Sequence, residues 1–198
     1  SLDNVTSVAA LVDTMCRPEG GNCINVISLF DNEEIGSRSK QGADSVLLAD
    51  IVRRILKGLD MDENEQMRIM RDAFMLSLDV AHATHPNYAE KSDPTNEIIM
   101  GKGVALKSSA SQRYVSDSAA AAVIMALARK YDIKVQHQVN RSGMAGGQTL
   151  GPIASSYLPV KAVDMGMPIL AMHSAVELGS AEDYMQLKKI CGAVFGLE

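Results

Sequence analysis

Apolar positions recur along this chain at two spacings, and the alternation between them predicts its elements. Val8 to Met15 reads as a helix, with Ala9, Ala10 and Leu11 beside Val12. Ser45 to Leu59, SVLLADIVRRILKGL, carries apolar residues at helical spacing and meets its stop at Gly58. A further helix is predicted over Glu63 to Ala73, another over Thr149 to Tyr157 and a C-terminal one over Ala181 to Val194. Ser116 to Lys130 is apolar nearly all round, which predicts a buried helix capped by Asp117 or Ser116. Between these lie short runs rich in Ile, Val and Leu, too short for helices. Asn25–Phe30, bounded by Gly20-Gly21 and an acidic cluster, reads as a buried strand. Phe74–Val80, Val104–Lys107, Lys134–Val139 and Val160–Met165 read as four more. Ser92 to Gly103 and Arg141 to Gly147 read as loops. Strands alternating with helices predict an α/β sheet covered by helices on both faces, with no linker dividing the chain.

Composition narrows the partners. With 198 residues and 46% hydrophobic content, one substantial core is expected, and the twelve methionines fill it. A net charge of −5 without a basic cluster argues against nucleic acid. No apolar run approaches the ~20 residues that span a bilayer. Three cysteines, with no CxxC pair, fit free thiols in a reducing cytoplasm. The first residues, Ser1-Leu2-Asp3-Asn4, lack the basic and apolar regions of a signal peptide and lack an initiator Met, which reads as a processed or cut piece of a longer chain.

Candidate chemistry gathers where predicted strands end. At Asp31-Asn32-Glu33-Glu34 three acids fall within four residues. Like charges so crowded repel, and a missing cation would relieve them. Glu33 and Glu34 at a strand end point to different sides, one toward metal and one toward substrate; the other reading is a solvated acidic turn. Asp79, in an apolar strand, reads as a cation's neighbour or as a strand-end acceptor. His82 and His85 would share a face in a helix, but Pro86-Asn87 favours a loop and ordinary polar histidines. His173 follows an apolar run, which suits a buried neutral imidazole, whether zinc donor or satisfied core residue. His137 alternates with Val135 and Val139 and is expected to face solvent. Arg113 and Lys107 either bind a substrate carboxylate or sit on the surface, the default for isolated cations. Oxygen and imidazole donors suit zinc, manganese or cobalt.

The wording of these segments, in their order, resembles the M18 family of metalloaminopeptidases, which includes aspartyl aminopeptidase and aminopeptidase I. The segments are SLDNV at 1–5, DNEEIGS at 31–37, SLDVAHATHPNY at 77–88, SQRY at 111–114, GGQTLGPI at 146–153 and AMHSAVE at 171–177. The resemblance implies a three-layer sandwich with a mixed, largely parallel sheet, as in zinc peptidases. It implies a site holding two divalent ions, zinc in the first instance. Asp3 matches the aspartate bridging both ions, Glu33 the general base, and Glu34, Asp79 and His173 the other ligands. Lys107 matches a lysine near the substrate side chain, where it would pair with an acidic residue. Gly146 and Gly147 would bring backbone N–H groups to substrate or form an ordinary turn, and His85 resembles a histidine near the site. The implied reaction is hydrolysis of the N-terminal peptide bond, with acidic N-terminal residues preferred; a broad neutral aminopeptidase or an inactive structural piece are the other readings. The implied partners are peptide substrates and further copies in a homo-oligomer. The family's earlier His-x-Asp segment and inserted dimerisation domain have no match here. The chain is therefore expected to be the C-terminal part of a catalytic domain, with one ion short of a ligand.

Overall fold

The computed structural model describes residues 2–17, 23–144 and 146–197. Along the chain run α1 (Leu2–Met15), α2 (Leu47–Gly58), α3 (Glu63–Asp72), β1 (Phe74–Leu78), β2 (Ala81–His82), β3 (Val104–Ser108), α4 (Ser118–Lys130), β4 (Val135–Val139), α5 (Leu150–Ser155), β5 (Lys161–Gly166), β6 (Pro168–Leu170), β7 (Leu178–Gly179) and α6 (Ala181–Phe195). The central sheet has the order β1-β5-β3-β4. β1 runs parallel to β5, β3 parallel to β4, and β3 antiparallel to β5. A smaller sheet, β2-β6-β7, continues from its end. The backbone ladder crosses the join, with Asp79 N donating to Met165 O, Ala81 N to Met167 O and Ala83 N to Ile169 O. The expected α/β class with a mixed, mostly parallel sheet is what is found.

Strand periodicity sorts the two faces of the sheet. Leu78, Leu106, Val163 and Met165 point to one face and join Ile124 and Leu127 of α4 and Leu187 and Ile190 of α6 in the main core. The intervening positions Ser77, Asp164, Lys107 and Gln138 are paired strand to strand and form one buried polar row across the other face, where α5 packs. Asp164 is held there by Val115 N and Thr149 Oγ1, and its own N–H donates to Ser116 Oγ. Gly151 must lack a side chain, since a Cβ would press on both oxygens of Asp164 and on Ser77 Oγ.

Local signals explain the helix starts. Asp62 accepts from Glu65 N while the Glu65 carboxylate accepts from Asp62 N, a reciprocal cap on α3. Asp117, one of the two expected caps, accepts from Ala120 N at the start of α4. α4 is not buried all round, however. Ala120, Ile124, Leu127 and Ala128 face the sheet, while Met125 is exposed. Alanine leaves an outward face so small that its apolar character costs little in water.

The expected strand at Asn25–Phe30 does not form. Ile24, Val26 and Leu29 are 50%, 44% and 51% exposed, and among the described residues no strand pairs with the segment. An apolar run becomes a strand only where a neighbour takes its N–H and C=O groups. Gly20 and Gly21, the expected boundary, lie outside the described residues. Asp79 is likewise not in mid-strand: β1 stops at Leu78 and the chain resumes pairing as β2 in the second sheet. Three short strands, β2, β6 and β7, were not legible as such because two or three residues carry no periodicity.

Candidate metal centre

Three segments far apart in sequence meet at the join between the two sheets. Asp3 lies in the irregular first turn of α1, at φ −82° and ψ 109°, and the Asp3–Asn4 peptide bond is cis. Asn4 Nδ2 donates to Leu78 O at 2.8 Å, which fixes this turn against the end of β1. The acidic cluster forms a 3₁₀ turn, Glu33–Ile35, bracketed by Asn32 and Gly36 in the left-handed region at φ 62° and 99°. Three residues per turn, rather than strand alternation, make Glu33 and Glu34 diverge. Glu33 is half-buried and Glu34 exposed. His173 stands between β6 and β7, itself at φ 65°, with Ala171 at φ 58°. Its side chain is 61% exposed, so the buried imidazole expected from the preceding apolar run is not found. The run belongs to β6, and the chain turns outward immediately after it. Such conformations are costly for residues other than glycine and persist where surrounding bonds hold them.

His173 Nε2 lies 3.0 Å from Asp3 Oδ2 and 3.3 Å from Glu34 Oε2. One ligand atom from each of Asp3, Glu34 and His173 lies within 4.8 Å of the others. Burial, then the neighbouring charges of Asp79 and Glu34, push the Asp3 carboxyl up to about 6. Burial, then Asp79, Glu34 and Asp3, push Glu33 up to about 7, against a smaller opposing pull from Lys107. Two oxygens and an imidazole, converging in a cluster of mutually repelling carboxylates, fit a divalent cation.

These displacements have a sign that thermal unfolding can read. Asp3 and Glu33 have folded values above their ordinary 3.8 and 4.5. The folded state therefore binds more protons than the unfolded state between those limits, and stability present below ~4 is lost as pH rises through 6 and 7. The metal-free chain is expected to melt at lower temperature near neutrality than near pH ~5. Glu33→Gln should flatten the upper part of that fall. An unchanged profile in the variant would show that Glu33 does not titrate in this window.

Asp79 reaches the same cluster from the sheet join, but it carries a partner. Lys107 Nζ lies 3.4 Å from Asp79 Oδ2 and donates to Val80 O at 2.7 Å. Lys107 is 3% exposed, so the surface default for this cation is overturned. The register of β3 turns its side chain into the polar row, and its ammonium stands 5.5 Å from the centre of the Tyr114 ring. Among the described residues Asp79 joins no second cluster of three metal-binding groups.

A cavity of about 410 Å³ has Ala171 and Met172, the residues that precede His173, in its wall. Its wall includes His82, His85, Tyr114, Asn140, Gly146 and Gly147. Gly146 and Gly147 are thus on the cavity, with Gly146 O accepting from Arg113 at 3.2 Å. His85 Nδ1 accepts from Asn87 N and its ring sits 5.2 Å from Tyr88. His82 and His85 lie on a two-residue strand and the loop after it, not on one helix face. His137 is exposed as expected and pairs with Ser108 Oγ at 3.0 Å. The sequence reading passed over Tyr114 and Asp164. The signal for Asp164 was the one that marked Asp79, an acid inside an apolar strand; Tyr114 lay inside the SQRY segment without a stated role.

Comparison with known proteins gives the family. The family model described as aminopeptidase I zinc metalloprotease (M18) matches residues 1–195. A probable M18 family aminopeptidase 2 of Clostridium novyi (strain NT) is 43% identical over 196 residues, which is 99% of this chain and 45% of that protein. A probable aspartyl aminopeptidase of Ricinus communis is 35% identical over 189 residues, 92% of this chain and 38% of that protein. The solved structure of the S. cerevisiae mApe1 dodecamer superposes with a TM-score of 0.79 at 25% identity, covering 98% of this chain and 44% of that one. The chain spans about half the length of the curated relatives it matches. No helix among the described residues is long and apolar enough to cross a membrane. With a family model matched from the first residue almost to the last, and the acidic turn, Asp3 and His173 folded onto one another, the chain belongs to the M18 family of zinc metalloproteases.

Proposed function

We propose that the protein containing this chain is a metal-dependent aminopeptidase that releases the N-terminal residue of peptides, acidic residues first. The convergence of Asp3, Glu34 and His173 beside the half-buried Glu33 carries this reading. Asp3, Glu34 and His173 would hold one ion, zinc in the first instance, and Asp79 with Asp3 a second. A bound divalent ion supplies positive charge that polarises a carbonyl and makes water a better acid. Glu33, half-buried beside these ligands, would accept a proton from water and pass it to the leaving amine. His85, Gly146 and Gly147 line the cavity that would take the peptide. In this reading further copies of the chain assemble around the site, as in the dodecamer of the yeast relative.

Acid preference is supported by the name of the Ricinus relative and by the presence of Lys107 close to the cavity. A second reading, broad preference for neutral residues, is favoured by the engagement of that lysine with Val80 and Asp79. Initial rates of the full-length protein on Asp-, Glu- and Leu-amides, with and without chelator, decide between them. The expected result is abolition by chelation and faster release of Asp and Glu than of Leu. Hydrolysis indifferent to chelation overturns the metal reading, and fastest release of Leu establishes the second preference.

A further inference from the structure

Glu177 closes the AMHSAVE segment and has no part in the ligand set, yet its carboxylate reaches two of the three ligands through their backbones. Glu177 Oε1 accepts from His173 N at 2.9 Å. Glu177 Oε2 accepts from Asp3 N at 3.1 Å and also from Leu2 N. One carboxylate, 174 positions from Asp3 in sequence, thus joins the start of α1 to the turn before β7. Both attached segments need such a tie. Asp3 and Asn4 depart from helical geometry, and His173 and Ala171 occupy the left-handed region, so neither segment is held by a helix or strand ladder of its own.

We propose that Glu177 is a positioning residue: it sets the separation of Asp3 and His173 by binding both main chains, and so preforms the metal triad. This rests on the metal reading of that triad. The chemistry singles out a carboxylate of this length. Both oxygens act only as acceptors, which matches three N–H donors arriving from two sides. Charge-assisted bonds of this kind are stronger than neutral ones. An amide would present one NH₂ to a donor and lose one of the two ties, and a shorter acid could not span them. Groups that orient metal ligands from behind typically change affinity about 10- to 100-fold when removed.

The test uses the 198-residue chain and its Glu177→Gln and Glu177→Asp variants, with zinc titrated against a chromophoric chelator. Both variants are expected to bind about 10- to 100-fold more weakly than the unmodified chain. In the metal-free proteins, amide hydrogen exchange at Asp3 and His173 should quicken in the variants while exchange in α4 and α6 stays the same. That local signature separates positioning from general loss of fold. Equal zinc affinity and equal exchange in Glu177→Gln overturn the inference and leave the metal reading standing. Full affinity in Glu177→Asp also overturns it, since charge alone would then suffice. Absence of zinc binding by the unmodified chain, or its survival in Asp3→Ala, overturns the metal reading and the inference together.

Discussion

Glu33→Gln in the full-length protein is expected to lower kcat on an Asp-amide by a factor of about 10² to 10⁴, the range supplied by a well-placed proton acceptor. The amide keeps the shape of the side chain and loses only its ability to take a proton. Metal content should therefore be unchanged, and the melting temperature of the metal-free protein should match below pH ~4, where Glu33 is protonated and an amide resembles it. The geometry supports this choice between the adjacent acids. Glu33 is half-buried, while Glu34 is exposed and stands 3.3 Å from His173. The measurement is the initial rate with metal content determined on the same sample. A loss of less than about tenfold with metal retained would assign the proton transfer to another group.

Asp79→Ala should destabilise the metal-free chain strongly. It leaves the Lys107 ammonium, 3% exposed, with Val80 O as its hydrogen-bond acceptor. Breaking a buried pair from one side costs about 3–5 kcal/mol. The lower end applies here, because a quarter of the Asp79 side chain still meets water. Urea unfolding of the metal-free chain reads the effect. The double variant Asp79→Ala/Lys107→Met is expected to recover most of the loss, since an apolar side chain of similar volume has no charge to strand. If the double variant is as unstable as Asp79→Ala alone, packing around Asp79 rather than the stranded ammonium is responsible.

Much of the architecture was legible because it depends on local pattern. The helices over 47–58, 63–72, 118–130 and 181–195 follow from apolar spacing, caps at Asp62 and Asp117, and the stop near Gly58. The strands at 74–78, 104–108, 135–139 and 161–166 follow from short runs between turn signals. Where pattern misled, pairing was the missing information. Asn25–Phe30 has the composition of a strand, and no strand among the described residues hydrogen-bonds to it. Ala81–His82 and Leu178–Gly179 have almost no pattern, and their neighbour Pro168–Leu170 makes them strands.

The same division runs through the site. Segment wording and order by themselves carried the resemblance to the family, and that resemblance grouped Asp3, Glu33, Glu34, Asp79 and His173, because motif residues survive in a linear text. Only the folded chain decided that Asp3, Glu34 and His173 come within reach of one another, that a 3₁₀ turn parts the two glutamates, and that Lys107 is buried against Asp79. These depend on strand register and on the left-handed backbone at His173, which no short stretch of sequence encodes.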